Sequence, residues 1–193
     1  MMTTFNSETS RHGLPEDHEL PRRLELLAEL GLDQQRPIPE LDALADRVAD
    51  AFIERTGQPS FRGIVNIVAH EQFFVGLSRP RSGGHSTSQD PDPVADRIMP
   101  RTEGWCVFTL ARRTAFPLNN VLDYPRSAGN GAMHRFRVKT YLGAPIIHAA
   151  TGICLGTICG VGTLTTQWTL ADVERMKEFA QEAGGLMEQR PRF

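Results

Sequence analysis

Apolar side chains recur every three or four residues in three segments of the chain, as they do on one face of a helix. These positions are Leu24, Leu27 and Leu30 after Pro21; Leu41, Leu44, Ala45, Val48 and Phe52 after Pro39; and Leu170, Val173, Met176, Ala180, Ala183 and Met187 after Thr169. Gly31 and Gly57 are typical helix ends, and Thr169 is a typical N-cap. The pattern therefore predicts two helices near the start of the chain and one at its end.

The middle of the chain is rich in residues that favour extended backbone. Residues 64–77 predict a hairpin that turns at 70–72, and residues 139–161 predict a second hairpin that turns at 148–152. Between them we expect a short helix from 102 or 103 to 113, a brief strand over 116–121, and a loop with one helical turn over 123–136. The glycines at 152, 156, 160 and 162 indicate close approach by another backbone or by a ligand.

Consecutive hairpins flanked by helices predict an α+β fold. We expect an antiparallel sheet in one layer and the helices from both chain ends in a second layer. Residues 21–190 form the predicted single domain, and the polar residues 1–20 form a predicted flexible leader. Residues 78–100 read as a long polar loop. We expect residues 1–20 and roughly 80–98 to be the most mobile parts.

Charge and composition narrow the classes of partner. The chain has 193 residues and a net charge of -2, with acidic and basic residues interspersed, so we expect neither a nucleic-acid surface nor a membrane surface. No apolar run reaches the roughly 20 residues that span a bilayer. The three cysteines lack a C-x-x-C pair, which suits a reducing cytoplasm, and the six histidines show no metal-binding spacing.

The segment Tyr141-Leu-Gly-Ala-Pro-Ile146, followed by Leu155-Gly-Thr-Ile-Cys-Gly160, resembles the paired central strands of GAF domains, the small sensory modules of signalling proteins. Further segments match other parts of this family in the family's order, over roughly residues 22–188. They are Arg23–Gly31, Gly63–Leu77, Glu103–Ala111, Leu122–Arg126 and Trp168–Asp172. The resemblance implies a bacterial GAF-like α+β domain. It would have a central antiparallel sheet of about five to six strands, with the helices from both chain ends packed on one face and a ligand cavity under the connecting segment on the other.

The resemblance also implies a function. We expect a cytoplasmic sensory or regulatory domain that binds an unidentified small molecule. Since the sequence shows no kinase, cyclase or DNA-binding segment, its output is expected to pass through a partner protein. The apolar stripes of the first and last helices exceed what a small sheet needs, so a homodimer built by those helices is also expected.

Three GAF subgroups carry recognisable chemistry, and the sequence departs from each. Free methionine sulfoxide reductases have their catalytic cysteine just ahead of the strand that matches Thr140–Ile147, where this chain has Ala132–Arg137 without a cysteine. The Asn-Lys pair that begins the cyclic-nucleotide motif is absent. In bilin-binding relatives histidine commonly follows the attachment cysteine, whereas Val107 follows Cys106. We therefore expect no enzyme activity, and the cofactor stays unassigned.

The predicted ligand site lies between the sheet and the segment from 105 to 136, a location that the resemblance supplies. Its residues are Trp105, Cys106, Phe108, Asp123, Arg126, Phe136 and Tyr141. The aromatic rings would form walls for a flat group, and Arg126 with Asp123 would orient a polar end. A turn headed by Asp123 and fixed by Pro125 is the alternative interpretation of that pair. This mix suits a small aromatic or heterocyclic molecule.

Two other functions stay open. At the start of a helix the thiol pKa of Cys106 would fall, which favours a redox protein acting through Cys106, although a buried packing residue is the simpler interpretation. Cys154 and Cys159 are five residues apart on one strand, so we expect them on opposite faces as packing residues. A dimerising scaffold is the third possibility, in which Trp105, Phe108 and Phe136 fill the pocket.

Overall fold

The computed structural model describes residues 5–6, 11–81, 97–127 and 129–189, which have an α+β fold around a six-stranded antiparallel sheet. The strands of this sheet are β3 (Arg62–Val68), β4 (Gln72–Leu77), β5 (Ile98–Met99), β6 (Phe116–Leu118), β7 (Thr140–Ile147) and β8 (Cys154–Gly162). They are ordered β5-β4-β3-β8-β7-β6. The short strands β1 (Phe5–Asn6) and β2 (Arg11–His12) pair only with each other. The predicted fold class is confirmed.

The helices divide between the two faces of the sheet. They are α1 (Leu20–Glu29), α2 (Pro39–Thr56), α3 (Cys106–Arg112), α4 (Gly131–Arg135) and α5 (Leu170–Glu188). α1, α2 and α5 bury their apolar stripes in one core cluster, whereas α3 and α4 contribute to a second cluster on the other side of the sheet. Within the described ranges, every helix is too short or too polar to cross a bilayer.

The ends of the long helices follow from local chemistry. The Thr169 hydroxyl accepts a hydrogen bond from the Asp172 backbone N–H at 3.2 Å, and the Asp172 carboxylate accepts one from the Thr169 N–H at 2.8 Å. This capping box satisfies two of the N–H groups that a helix start leaves without partners. In the first part of the chain, Gly57 ends α2 with a left-handed φ of 69°. Both sequence-based helix boundaries are confirmed.

Arg23 anchors α1 to the sheet. Its side chain is fully buried and donates hydrogen bonds to the carbonyl oxygens of Val68 at 2.8 Å and Cys154 at 3.0 Å. The charge is paired with Asp17, which also binds Arg101 at 2.6 Å. Asp17 belongs to the predicted flexible leader, so the end of that leader is held to the domain. Residues 1–4 and 7–10 lie outside the described residues, and their predicted mobility stays a prediction.

The apolar stripes behind the predicted homodimer are largely covered within the chain. Leu27 and Met187 are 1% and 0% exposed, and Leu30, Met176 and Ala180 are also buried against the sheet and its neighbouring helices. The surplus of apolar surface on which the expectation depended is therefore small. Dimerisation stays a prediction without that support.

The long polar loop is held at both of its described ends. Arg81 pairs with Asp46 and Asp50, and Ile98–Met99 forms β5 against β4, a strand that the sequence analysis missed. Residues 82–96, where most of the predicted mobility falls, lie outside the described residues. The predicted mobility of this loop stays a prediction.

The prediction that Cys154 and Cys159 lie on opposite faces is wrong. Both are buried in the same core cluster, on the side of α3. The pairing of β8 with β7 shifts by one residue, since Ile146 pairs with Gly156 and Ile147 pairs with Cys154. This β-bulge inserts an extra residue and reverses the alternation of side chains beyond it.

Candidate functional site

The second core cluster encloses a cavity of about 170 Å³ on the sheet face opposite α1, α2 and α5. Its floor is formed by four buried side chains: Trp105, Cys106, Tyr141 and Cys159. Apolar walls come from the strands and from the connection between α3 and β7: Ile64, Phe74, Met99, Phe136, Val138 and Val161. Pro59 and Pro80 are exposed at the rim, so the cavity runs from the surface to the buried floor.

The size of the cavity limits what it can hold. An apolar protein cavity of about 150 Å³ accepts benzene, so about 170 Å³ accommodates one substituted ring. The polar groups stand near the mouth, where Arg62 lies with Ser60 and Thr163. The Arg62 guanidinium donates to the Ser78 hydroxyl at 3.3 Å, which holds it at this edge. The arrangement suits a small ring that enters first and leaves a polar end near the arginine.

Two buried amide side chains fix the segment that leads into α3. The Gln72 amide group donates to the carbonyl oxygens of Pro100 and Glu103, both at 2.8 Å, and accepts from the Asn66 amide at 2.9 Å. Asn130 brackets Gly104, since it accepts from the Gly104 N–H and donates to the Gly104 carbonyl oxygen, each at 2.9 Å. These bonds tie the start of α3 to β4 and to the connection beyond it.

Trp105 caps α3 and forms one wall of the cavity. Its indole N–H donates to the Ser127 hydroxyl at 2.9 Å, and its ring lies 5.7 Å from the ring of Tyr141. Tyr141 can occupy this place because residue 143 is glycine: a Cβ there would lie 2.1 Å from the tyrosine hydroxyl. That hydroxyl is instead directed to the Thr109 hydroxyl, 2.7 Å away.

The Cys106 sulfur lies in a group of hydrogen-bond donors. The Tyr141 hydroxyl donates to Cys106 Sγ at 3.7 Å, and Cys159 Sγ lies 3.9 Å away. Asn66 and Thr157 on the neighbouring strands are fully buried and act on the same sulfur. Asn66 Oδ1 and Thr157 Oγ1 have no hydrogen-bond partner within the described part of the chain. Polar side chains therefore surround the Cys106 sulfur, although Asn66 and Thr157 do not themselves line the cavity.

These neighbouring groups shift the pKa values of Cys106 and Cys159 in opposite directions. The hydrogen bond from Cys159 lowers the pKa of Cys106 to about 6 against the opposing effect of burial, and Thr157, Asn66 and Tyr141 add to the lowering. The same hydrogen bond, with burial, raises the pKa of Cys159 well above its usual value. Of the two thiols, Cys106 is therefore the more acidic and Cys159 the less acidic.

The structure brings together four of the seven predicted site residues. Trp105, Cys106, Phe136 and Tyr141 line the cavity, and they do not fill it, contrary to the packing that the scaffold alternative requires. The other three do not line it. Phe108 packs its ring edge-on to Tyr124, with centroids 5.8 Å apart.

The polar pair of the predicted site lies away from the cavity as well. Asp123 is exposed on a 3-10 turn (Val121–Asp123) and accepts a hydrogen bond from the Asn120 amide at 3.2 Å. Arg126, in the following 3-10 turn (Pro125–Ser127), stacks over Phe108 at 5.8 Å from the ring centroid. The pair lies in turns, as the alternative interpretation expected, but the side chain that accepts a backbone N–H there is Asn120, from Leu122 at 3.2 Å, and not Asp123. The ligand-orienting role of Asp123 and Arg126 stays a prediction.

Sequence reasoning missed Arg62 and Cys159 as cavity residues. Arg62 lies on β3 and Cys159 on β8, the two central strands. Arg62 pairs directly with Val161, which is the next residue after Cys159 on the same face of β8. Pairing β8 against β3 in antiparallel register would have brought Arg62 and Cys159 to the cavity side. The sequence did not reveal which of the hairpins pair with each other.

Several proteins of known structure share this fold. The GAF domain of a phosphoenolpyruvate-protein phosphotransferase from Acinetobacter has a TM-score of 0.53 at 12% identity, with 90% of this chain and 94% of that chain covered. A free methionine-R-sulfoxide reductase from Neisseria meningitidis, solved in complex with its substrate, has a TM-score of 0.51 at 15% identity, with 93% and 96% covered. No curated protein matches the chain in sequence.

A third solved structure is the type II free methionine-R-sulfoxide reductase from Thermoplasma acidophilum, with a TM-score of 0.53 at 10% identity and with 78% of this chain and 94% of that chain covered. At these identities the likeness shows a shared fold and nothing about the reaction. The sequence profile of the GAF domain matches residues 40–186, which include α2, the whole six-stranded sheet and nearly all of α5. The chain therefore belongs to the GAF domain family.

Proposed function

We propose that this protein is a sensory or regulatory GAF domain that binds a small molecule in the cavity above the sheet. The observation that carries the proposal is the cavity itself: about 170 Å³, apolar on its walls and open at a rim that holds Arg62. A single aromatic or heterocyclic ring with one polar or anionic substituent fits this chemistry. Such a ligand would contact Trp105 and Phe136 by its ring.

The test begins with native mass spectrometry of freshly purified protein, which detects a small molecule that co-purifies. In parallel, benzoate and benzamide serve as probes of the cavity, and NMR detects their binding. The proposal predicts that either probe shifts the signals of Trp105 and Phe136, and that benzoate binds better because Arg62 lies at the mouth. The absence of both a co-purified molecule and any response to the probes would contradict the proposal.

A matched pair of variants locates the site. Val161 and Val173 are both half-buried, but Val161 lines the cavity and Val173 lies on α5 on the other face of the sheet. We expect Val161→Phe to fill the cavity and abolish binding, and Val173→Phe to leave binding unchanged. Arg62→Gln should remove the preference for benzoate, with Arg22→Gln, an exposed position on α1, as its control. Equal binding by both valine variants would place the ligand elsewhere.

We propose further that the domain does not reduce free methionine-R-sulfoxide and acts in the cytoplasm through a partner protein or a second copy of itself. The two reductases of the same fold make one activity worth assaying. Residues 132–137, which precede β7, contain no cysteine, and the three cysteines lie in α3 and β8. We expect no turnover of free methionine-R-sulfoxide; measured turnover would overturn this part of the proposal.

A further inference from the structure

Cys106 and Cys159 are a pair of free thiols that face each other across two different elements. Cys106 begins α3 and Cys159 lies in the middle of β8, 53 residues later in the chain, yet their sulfur atoms are 3.9 Å apart. A disulfide needs a sulfur–sulfur distance of about 2 Å, so the sulfurs have to approach by roughly 2 Å. Rotation of the two side chains and a small shift of α3, a helix of seven residues, would have to supply this movement.

The third cysteine shows that burial alone does not create this arrangement. Cys154 is equally buried, but its thiol donates to the Gly156 carbonyl oxygen at 3.3 Å and it does not line the cavity. Burial raises the pKa of Cys154 to about 11. Cys154 is therefore an inert thiol in the same strand as Cys159, and it provides an internal control.

The side chains around the Cys106 sulfur would stabilise a thiolate, the form that attacks an electrophile. Tyr141 donates to the sulfur, and the Thr157 hydroxyl beside it is fully buried without a hydrogen-bond partner in the described residues. Both sulfurs line the cavity, so a small molecule that enters from the rim reaches them.

We propose that Cys106 and Cys159 form an oxidisable dithiol that reacts with a small hydroperoxide at the floor of the cavity. The Cys106 thiolate attacks the terminal oxygen of the hydroperoxide, the O–O bond breaks, and the alkoxide leaves as the alcohol after taking up the proton that Cys106 had released. Cys106 is now a sulfenic acid. This step transfers two electrons from sulfur to the peroxide.

Cys159 then completes the reaction. Its sulfur attacks the Cys106 sulfur, an S–S bond forms, the S–O bond breaks, and the hydroxide leaves as water with the proton from the Cys159 thiol. In sum two thiols are oxidised and one hydroperoxide becomes an alcohol and a water. A low-molecular-weight dithiol reverses the change by thiol–disulfide exchange. The disulfide would move the start of α3 towards β8 and so alter the floor of the cavity.

The experiment uses the full-length, fully reduced protein and one equivalent of hydrogen peroxide. We expect intact mass spectrometry to show the loss of two hydrogen atoms, peptide mapping to show a Cys106–Cys159 crosslink, and a dithiol to restore the original mass. In Cys159→Ser the reaction should stop at a Cys106 sulfenic acid that a dione reagent traps. In Cys154→Ser the crosslink should form at the parent rate.

Several results would overturn the proposal. Oxidation of Cys106 no faster than that of Cys154 would do so, because a cavity thiolate should react at least about ten-fold faster than a buried thiol. A crosslink that includes Cys154, or Cys159→Ser protein that gives no trapped sulfenic acid, would do so as well. The proposal does not depend on the proposed ligand: benzoate binding without oxidation, or oxidation without benzoate binding, separates the two.

Discussion

Replacement of Tyr141 by phenylalanine removes one donor from the Cys106 sulfur and leaves the ring in place. The tyrosine hydroxyl lies 2.7 Å from the Thr109 hydroxyl and 3.7 Å from Cys106 Sγ. In the parent the Thr109 hydroxyl donates to the Tyr141 hydroxyl; after the change its hydrogen is available for the Trp105 carbonyl oxygen, 3.3 Å away. We therefore expect the variant to fold, with a loss of about 0.5–1.5 kcal/mol in the free energy of unfolding.

The larger effect falls on the acidity of Cys106. A hydrogen bond to a charged group is worth about 1.5–3 kcal/mol, and about 1.4 kcal/mol corresponds to one pKa unit. Because the 3.7 Å contact is long, we take the lower value, which raises the pKa of Cys106 from about 6 by roughly one unit. Burial raises the pKa of Tyr141 itself well above its usual value, so the hydroxyl stays a donor throughout this range.

The assay is a pH titration followed by the NMR chemical shift of the Cys106 β-carbon, which needs no reagent to enter the cavity. In the parent the thiolate should persist down to a pH near 6 and disappear below it; in Tyr141→Phe the midpoint should move up. Tyr124→Phe is the matched control, because Tyr124 packs on Phe108 and Phe116 away from the cavity. A parent midpoint above pH 8, or equal midpoints in parent and Tyr141→Phe, would refute the reasoning.

Two further predictions concern stability. Burial opposes the ionisation of Asp17, but hydrogen bonds from Arg23 and Arg101 lower its pKa, so its contribution to stability is present above the unfolded pKa and is lost as the pH falls through the folded one. Asp17→Asn should cost about 3 kcal/mol at neutral pH and progressively less in acid by urea unfolding, whereas exposed Asp33→Asn should be neutral; a constant difference at all pH values would contradict this. Thr169→Ala removes the capping box of α5 and should cost about 1 kcal/mol, seen as a lower Tm; an unchanged Tm would show that the cap is unimportant.

The sequence predicted the bounds of helices and strands best for elements that bury one face in the core. The helices with apolar residues at three- and four-residue spacing, and the hairpins over 62–77 and 140–162, were predicted to within a few residues. Their patterns are read locally, since periodicity and cap residues lie within the element itself. β5 was missed because two residues carry no periodicity, and its existence depends on the pairing of Met99 with Gln72.

The site was harder to predict because its residues converge only through the pairing of distant strands. Asp123 and Arg126 were assigned to the cavity from their place in the sequence, but the 3-10 turns that carry them direct both side chains elsewhere. Cys159 was assigned to packing alone, although its neighbour Cys106 comes from an element 53 residues away. No pattern in the sequence reports a distance of this kind.

The bulge in β8 links the fold to the chemistry of the site. It places Cys154 and Cys159 on the same face, so the chain presents two buried thiols there with opposite surroundings. Cys154 is satisfied by a backbone carbonyl, whereas Cys159 is adjacent to Cys106 at the floor of the cavity. A buried cysteine that serves packing alone needs neither a sulfur neighbour nor a tyrosine donor. The proposed dithiol therefore depends on the bulge in a specific way: Cys159 is adjacent to Cys106, whereas Cys154 on the same face is bonded to Gly156.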